Sequence, residues 1–268
     1  MIPKFQALVL AAGMGKRMNS DLPKVLHPAL GTPLVHHVLD RLDALHPERV
    51  ILVVGHKEEL VRAACAPRGV RFATQRPQLG TGHAVQVAWS EIAAAAAETG
   101  ADRVLVLAGD MPLVRTETLR RLLERHAAEG NGVTVLTGTL ADPGGYGRVI
   151  RDAAGRFVKI VEEKDATDAE RSVAEVNSGI YCFDLAPLEE ALASLRTDNK
   201  QQEYYLTDTL AHIRGRGLGV GIEPATHESE LMGVNTVAQL ADAERELTAA
   251  GIVPDGRYAS PGSAGSTG

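Results

Sequence analysis

The chain has 268 residues, with 28 Lys and Arg against 34 Asp and Glu, for a net charge of −6. Hydrophobic residues make up 44% and charged residues 23%, the balance of a globular protein with its own core, which excludes wholesale disorder. The acidic balance excludes general binding to nucleic-acid backbone. The two cysteines, Cys65 and Cys182, exclude a disulfide framework or zinc cluster. With no run of about 18 apolar residues there is no membrane span, and a cytoplasmic protein is expected.

The predicted elements alternate. Residues 5–10 form a short apolar strand that runs into a glycine loop. Thr32 and Pro33 are expected to cap a helix whose apolar stripe is Leu34, Val35, Val38, Leu39, Leu42 and Leu45. Strands follow at 50–54 and 70–74, then an alanine-rich helix from 82 to 97, and a strand at 103–108 that ends in Gly109-Asp110. Leu119, Leu122, Leu123 and His126 mark the next helix, and alternation at Val133, Val135 and Thr137 marks a strand. Residues 147–151 and 157–161 read as a hairpin, 175–183 as a strand, and 185–196 and 206–215 as helices. A closing strand and helix fill 216–250. The last 18 residues hold five Gly, two Pro and three Ser, which reads as a flexible tail over 251–268.

This order predicts an α/β fold: a Rossmann-like, mostly parallel sheet with helices on both faces. The nucleotide half spans residues 1–140 and an inserted α+β region spans 141–215. The loops after Leu10, Thr74 and Ala108 should then open on one sheet edge, where such folds bind ligands.

Residues 10–27 read LAAGMGKRMNSDLPKVLH. Small residues let backbone amides approach a phosphate, and Lys16, Arg17 and Lys24 place three cations within nine residues. A dinucleotide fingerprint is excluded because Met18 stands where its third glycine belongs. A P-loop is excluded by Leu10 and Arg17 at two of its fixed positions.

The run resembles the opening motif of nucleotidyltransferases that make nucleotide-sugars, and Pro23-Lys24-Val25-Leu26-His27 resembles the N-acetylglucosamine-1-phosphate uridyltransferase family in particular. Similar blocks follow in order: Gln75 with 79–84, Gly109-Asp110, 145–148, 160–166, 175–179, 203–208 and 233–235. Lys16 departs from the family's usual Thr, and Ala108 from larger or polar residues.

The resemblance implies Mg²⁺-dependent transfer of the uridylyl group of UTP to N-acetylglucosamine 1-phosphate, giving UDP-N-acetylglucosamine, a cell-wall precursor, and pyrophosphate. It implies nucleotide contacts from Leu10, Ala11, Ala12, Gly13 and Lys24, and reading of the uracil edge by Gln75, Gly80 and Thr81. Arg17, Lys24 and Asp110 take the catalytic roles, with Arg17 on the pyrophosphate. Gly109, Gly147, Glu162, Asn177 and Asn235 take the sugar, and Asp110 and Asn235 take the metal. The attacking phosphate oxygen is already anionic, so positioning and charge neutralisation suffice without a strong base. Other readings stay open: a different sugar or polyol phosphate or another nucleotide, or a silent nucleotide-sugar-binding subunit. Arg148 reads as a surface cation and His27 as a packing residue. The family commonly carries a second, acetyltransferase domain of hexapeptide repeats. No such repeats occur here, and a monomer is expected.

Overall fold

The computed structural model describes residues 2–18 and 20–252; of the tail expected over 251–268, residues 253–268 lie outside them. In chain order the elements begin with β1 (Gln6–Leu10), the short pair β2 (Pro28–Ala29) and β3 (Thr32–Pro33), α1 (Leu34–Asp43), β4 (Arg49–Val54), α2 (Glu58–Cys65), β5 (Arg71–Thr74) and α3 (Thr81–Thr99). Then come β6 (Arg103–Ala108), α4 (Thr116–Glu129), β7 (Asn131–Thr139), β8 (Arg148–Arg151), β9 (Phe157–Val161) and α5 (Asp168–Arg171). The chain continues through β10 (Glu175–Asp184), α6 (Leu185–Ser194), α7 (Asp208–Gly215), β11 (Gly219–Pro224) and α8 (Val237–Ala249).

Side chains of a strand enter opposite faces in turn, and here both faces are dry. Ala7, Val9, Leu52, Val54, Leu105 and Leu107 pack beneath α1, α2 and α4. Leu8, Ile51, Val53, Val104 and Val106 pack on the other face beneath α3, α6 and α7. This double burial explains why these strands read as continuous aliphatic runs. The sheet order is β11-β7-β10-β6-β1-β4-β5. β1 runs parallel to β4 and β6, β4 to β5, and β11 to β7. Along this seven-strand path β10 is the strand that runs antiparallel, wedged between β6 and β7. The β8–β9 hairpin hangs on the start of β10, where Arg148 pairs with Val176.

Register sets the site. Thr74 sits opposite Val54, and Leu10 opposite both Val53 and Ala108, so the loops leaving β5, β1 and β6 open on one edge, as expected, those of β1 and β6 at the same level. A third, smaller cluster holds them there: Met18 from the first loop, Leu113 from the loop after β6, and Val234 from the segment before α8 pack with Ala243 and Leu247. No helix among the described residues is long and apolar enough to cross a membrane.

Four expectations need correction. Thr32 does not cap α1; its backbone pairs with Ala29, which commits it to extended structure, and Pro33 takes the cap position. Leu45 lies beyond the end of α1, yet it stays buried in the first core. α2 is absent from the sequence reading because only Val61 and Cys65 of its eight residues are buried, too few for a visible stripe. Arg148 is not a surface cation. It is 2% exposed, donates to the carbonyls of Tyr146 and Arg171, and pairs with Glu163 at 2.7 Å.

A buried guanidinium that saturates two carbonyls and a carboxylate is costly to truncate. Arg148→Ala should lose about 3 kcal/mol of stability, measured by urea unfolding followed by circular dichroism, with the loss traced to the β8–β10 corner.

Candidate functional site

One end of the candidate site is built from the loop after β1. Ala11 N–H donates to the Val53 carbonyl at 2.8 Å, and the Leu10 carbonyl accepts from Gly109 N–H at 2.9 Å. The Ala12 carbonyl accepts from the Gln78 side chain. These bonds fix the loop's base and leave the amides of Ala12, Gly13, Met14 and Gly15 without a hydrogen bond to the described residues. Such a run of free N–H groups forms a cradle for anions. Gly15 has φ +63°, and a Cβ there would stand 2.7 Å from Lys24 Cβ. Only glycine lets the loop fold down onto that lysine.

Lys24 rises from a single 3₁₀ turn anchored by buried Val25 and Leu26. Its ammonium donates to Asp110 Oδ2 and, at 2.9 Å, to Asn235 Oδ1. The Lys24 and Asp110 side chains are only 17% and 10% exposed. Asp110 is held from behind by Val234 N–H on its own carbonyl at 2.9 Å. Asn235 is aimed by its Nδ2, which donates to the Gly233 carbonyl at 3.0 Å, and by Gln239, which accepts from its backbone N–H at 2.8 Å. Three distant stretches of chain thus meet at one point. Gly109 also lies at this end, packed between Val9 and Val25. Arg17 occupies the turn over residues 16–18; it is exposed, and no described side chain pairs with it.

A cleft of about 310 Å³ runs from Gly13, Lys24 and Asp110 to Gln75, Gly80 and Thr81. Gln75 is buried, and its Nε2 donates to the Gly80 carbonyl at 2.9 Å. Its Oε1 is thereby left as an acceptor. Gly80 has φ +101°, and a Cβ there would meet the Tyr204 carbonyl at 2.7 Å. Tyr204 N–H donates to the Leu79 carbonyl and Gly82 N–H to the Tyr204 carbonyl, both at 2.8 Å. Thr81 Oγ1 accepts from Leu206 N–H at 3.1 Å. The loop from 79 to 82 is therefore stapled to the segment 204–206 that leads into α7.

Of the residues expected at the sugar, Gly147, Glu162 and Asn177 gather on the inserted hairpin and β10, whereas Gly109 and Asn235 lie at the other end, with Val25 and Lys24. A Cβ on Gly147 would stand 3.5 Å from Glu162 Oε2 and 3.6 Å from Asn177 Cβ, so the three are neighbours. Glu162 Oε1 accepts from Thr207 Oγ1 at 2.9 Å. Burial pushes the Glu162 carboxyl above the usual carboxylate range; the Thr207 hydroxyl opposes this, and Asp208, Asp165 and Glu203 add to it. Asn177 Nδ2 donates to the Tyr181 hydroxyl at 2.7 Å, and its Oδ1 accepts from Gly179 N–H at 3.0 Å. Tyr146 lies between the two ends. Its hydroxyl donates to the Leu231 carbonyl at 3.2 Å, and its pKa is raised by burial and then by the charge of Asp110.

Gln75, Gly80 and Thr81 thus cluster as expected, as do Gly147, Glu162 and Asn177, and so do Lys24, Asp110 and Asn235. Sequence reasoning assigned no role to Gln78, Tyr146, Tyr181 or Thr207. Tyr146 and Thr207 sit inside matching blocks, a usable signal; Tyr181, an aromatic in a buried strand, carries none. His27 is the packing residue expected: its Nε2 is buried without a partner among the described residues, and burial lowers its pKa.

Comparison with known proteins fits this geometry. The family model described as "MobA-like NTP transferase domain" matches residues 7–174. The bifunctional protein GlmU of Dechloromonas aromatica is 47% identical over 239 residues, covering 89% of this chain and 51% of that protein. GlmU of Cupriavidus metallidurans is 48% identical over 238 residues, covering 89% and 51%. GlmU of Syntrophomonas wolfei is 43% identical over 244 residues, covering 91% and 53%. The chain spans about half the length of these curated relatives. A Bacillus anthracis structure assigned as a glucose-1-phosphate thymidylyltransferase superposes with a TM-score of 0.71 at 20% identity, covering 90% of this chain and 94% of that one, a likeness of fold. On the family match over more than half its length, the chain belongs to the MobA-like NTP transferase domain family and is a nucleotidyltransferase.

Proposed function

We propose that this protein transfers the uridylyl group of UTP to N-acetyl-α-D-glucosamine 1-phosphate, releasing pyrophosphate. The observation that carries the reading is the convergence of Lys24, Asp110 and Asn235 beside a run of free amides, at one end of a cleft whose other end is the Gln75–Gly80 pair. The GlmU relatives and the matching blocks point the same way.

Gln75 Oε1 accepts from the uracil N3–H and Gly80 N–H donates to a uracil carbonyl, a pairing suited to the base's donor and acceptors. Ala12 and Gly13 amides and Thr81 line the path of the ribose and phosphates. Glu162 and Asn177 bind acceptor sugar hydroxyl and amide groups, with Gly147 leaving room for the ring. The acceptor's phosphate oxygen attacks the α-phosphorus as the bond to the bridging oxygen of pyrophosphate breaks. Lys24 neutralises oxygens around the α-phosphorus, and exposed Arg17 meets the departing pyrophosphate. No group on the protein needs to take a proton.

Mg²⁺ fits the Asp110–Asn235 pair. A carboxylate and an amide oxygen are hard donors, and both already converge on a cation, the Lys24 ammonium. Among the described residues no group of three or more His, Cys, Asp or Glu is placed to hold a metal ion; an ion at Asp110 and Asn235 would complete its shell with substrate phosphates and water. When bound, Mg²⁺ supplies charge neutralisation at phosphate oxygens.

Pyrophosphate release from UTP and N-acetylglucosamine 1-phosphate tests the reading. Asp110→Ala should lower kcat/KM by about a hundredfold or more; wild-type activity in that variant overturns the assignment. In a panel with CTP, dTTP and glucose 1-phosphate, each alternative should fall at least about tenfold below the proposed pair. A different best pair replaces it.

The raised Glu162 pKa gives a second expectation. A raised folded-state pKa means that the native protein binds this proton more tightly than the unfolded chain. The stability cost of the buried carboxylate is absent below the ordinary Glu range and complete above the raised value. Glu162→Gln should therefore raise the melting temperature at pH 8, with the gap closing as the pH falls toward 4. In the same variant the KM for the sugar phosphate should rise. A calorimetric pH series and parallel kinetics check both.

A further inference from the structure

β10 breaks its register exactly where the sugar residues lie. Asn177 pairs with Thr137 of β7, but Tyr181 pairs with Val135. Four steps along β10 thus match two along β7, so the ends of the break stand about 7 Å apart along β7 rather than the 13 Å of a regular strand. Gly179, at φ +82°, makes the turn within the bulge. Ser178 pins it, donating to the Leu136 carbonyl at 2.8 Å and accepting from Ile180 N–H at 3.0 Å.

The consequence is local. Asn177 and Tyr181 are four residues apart, yet Asn177 Nδ2 donates to the Tyr181 hydroxyl at 2.7 Å. The Tyr181 ring is 3% exposed and packs in the second core, 5.5 Å from the Phe183 ring. Its hydroxyl accepts one hydrogen bond and keeps its own proton to give. Burial and then the nearby Glu162 charge push its pKa up, so the phenol stays neutral throughout any working range. The Tyr181 hydroxyl therefore touches one acceptor-binding residue and lies within the field of the other.

We propose that Tyr181 is a positioning residue for the acceptor sugar: rooted in the core, its hydroxyl fixes which way the Asn177 amide faces beside Glu162. This rests on the reading of Gly147, Glu162 and Asn177 as the sugar site. Without the hydroxyl, Asn177 retains only the Gly179 N–H on its oxygen, and one amide hydrogen loses a buried partner. The amide then samples other rotamers, and each encounter with the sugar must reorder it.

The test is steady-state kinetics of Tyr181→Phe with UTP and N-acetylglucosamine 1-phosphate. The KM for the sugar phosphate should rise about tenfold, with kcat and the KM for UTP within about twofold of wild type. Asn177→Ala should raise the same KM at least as much. The double variant should be no worse than Asn177→Ala alone, since the hydroxyl acts through that amide. A merely structural role would lower thermal stability and leave this split unmoved. Unchanged sugar KM in Tyr181→Phe, or full additivity in the double variant, overturns the proposal. If Tyr181→Phe folds poorly, Tyr181→Met must show the same split. A wild-type protein that prefers another acceptor overturns the substrate reading alone, and the Tyr181 split is then read on that acceptor. One inert to every acceptor overturns both.

Discussion

A carboxylate that is nearly out of water needs a cation beside it, and Asp110 is such a group. Here the cation is Lys24, steadied by the Asn235 amide oxygen. Much of the surrounding architecture serves to bring these three together. Parallel pairing of β1 with β6 puts the two loops on one edge. The cluster of Met18, Leu113 and Val234 ties those loops to the segment before α8. Gly15 lets the first loop settle onto the lysine stem. A triphosphate entering this cleft must compete for the ammonium, and it does so beside a row of amides left free by the fold.

The other end of the cleft is organised by burial. Glu162 is kept ionisable in a place that resists its charge, with the Thr207 hydroxyl as its main support. Thr207 belongs to the segment that also staples the Gly80 loop through Tyr204 and Leu206. The Gly80 loop and the Glu162 carboxylate therefore share one mechanical support. Stability given up at Glu162 is a familiar cost of a site made ready for a polar ligand.

The sheet was legible in the sequence because its strands are buried on both faces, so aliphatic runs such as 50–54 and 103–108 announce themselves. The loop after β1 was legible as a candidate site because glycines and cations crowd into a few residues. Placing Arg148 failed because a charged residue in a hairpin looks solvated, and nothing local shows that two carbonyls and Glu163 await it. α2 was lost because two buried positions make no pattern. Tyr181 was invisible for a deeper reason: its role depends on a register break between β10 and β7, a relation between strands that no window of sequence contains.

β10 also has a consequence for how this molecule can change. The strand that carries Asn177 is also an interior stave of the main sheet, bonded to β6 on one side and β7 on the other. The half that carries Gly147, Glu162 and Asn177 is thus not a cassette that could be cut out and exchanged for another. Removing it would unzip the sheet through its middle, so change there must come by single replacements on a kinked stave whose two flanks stay in place.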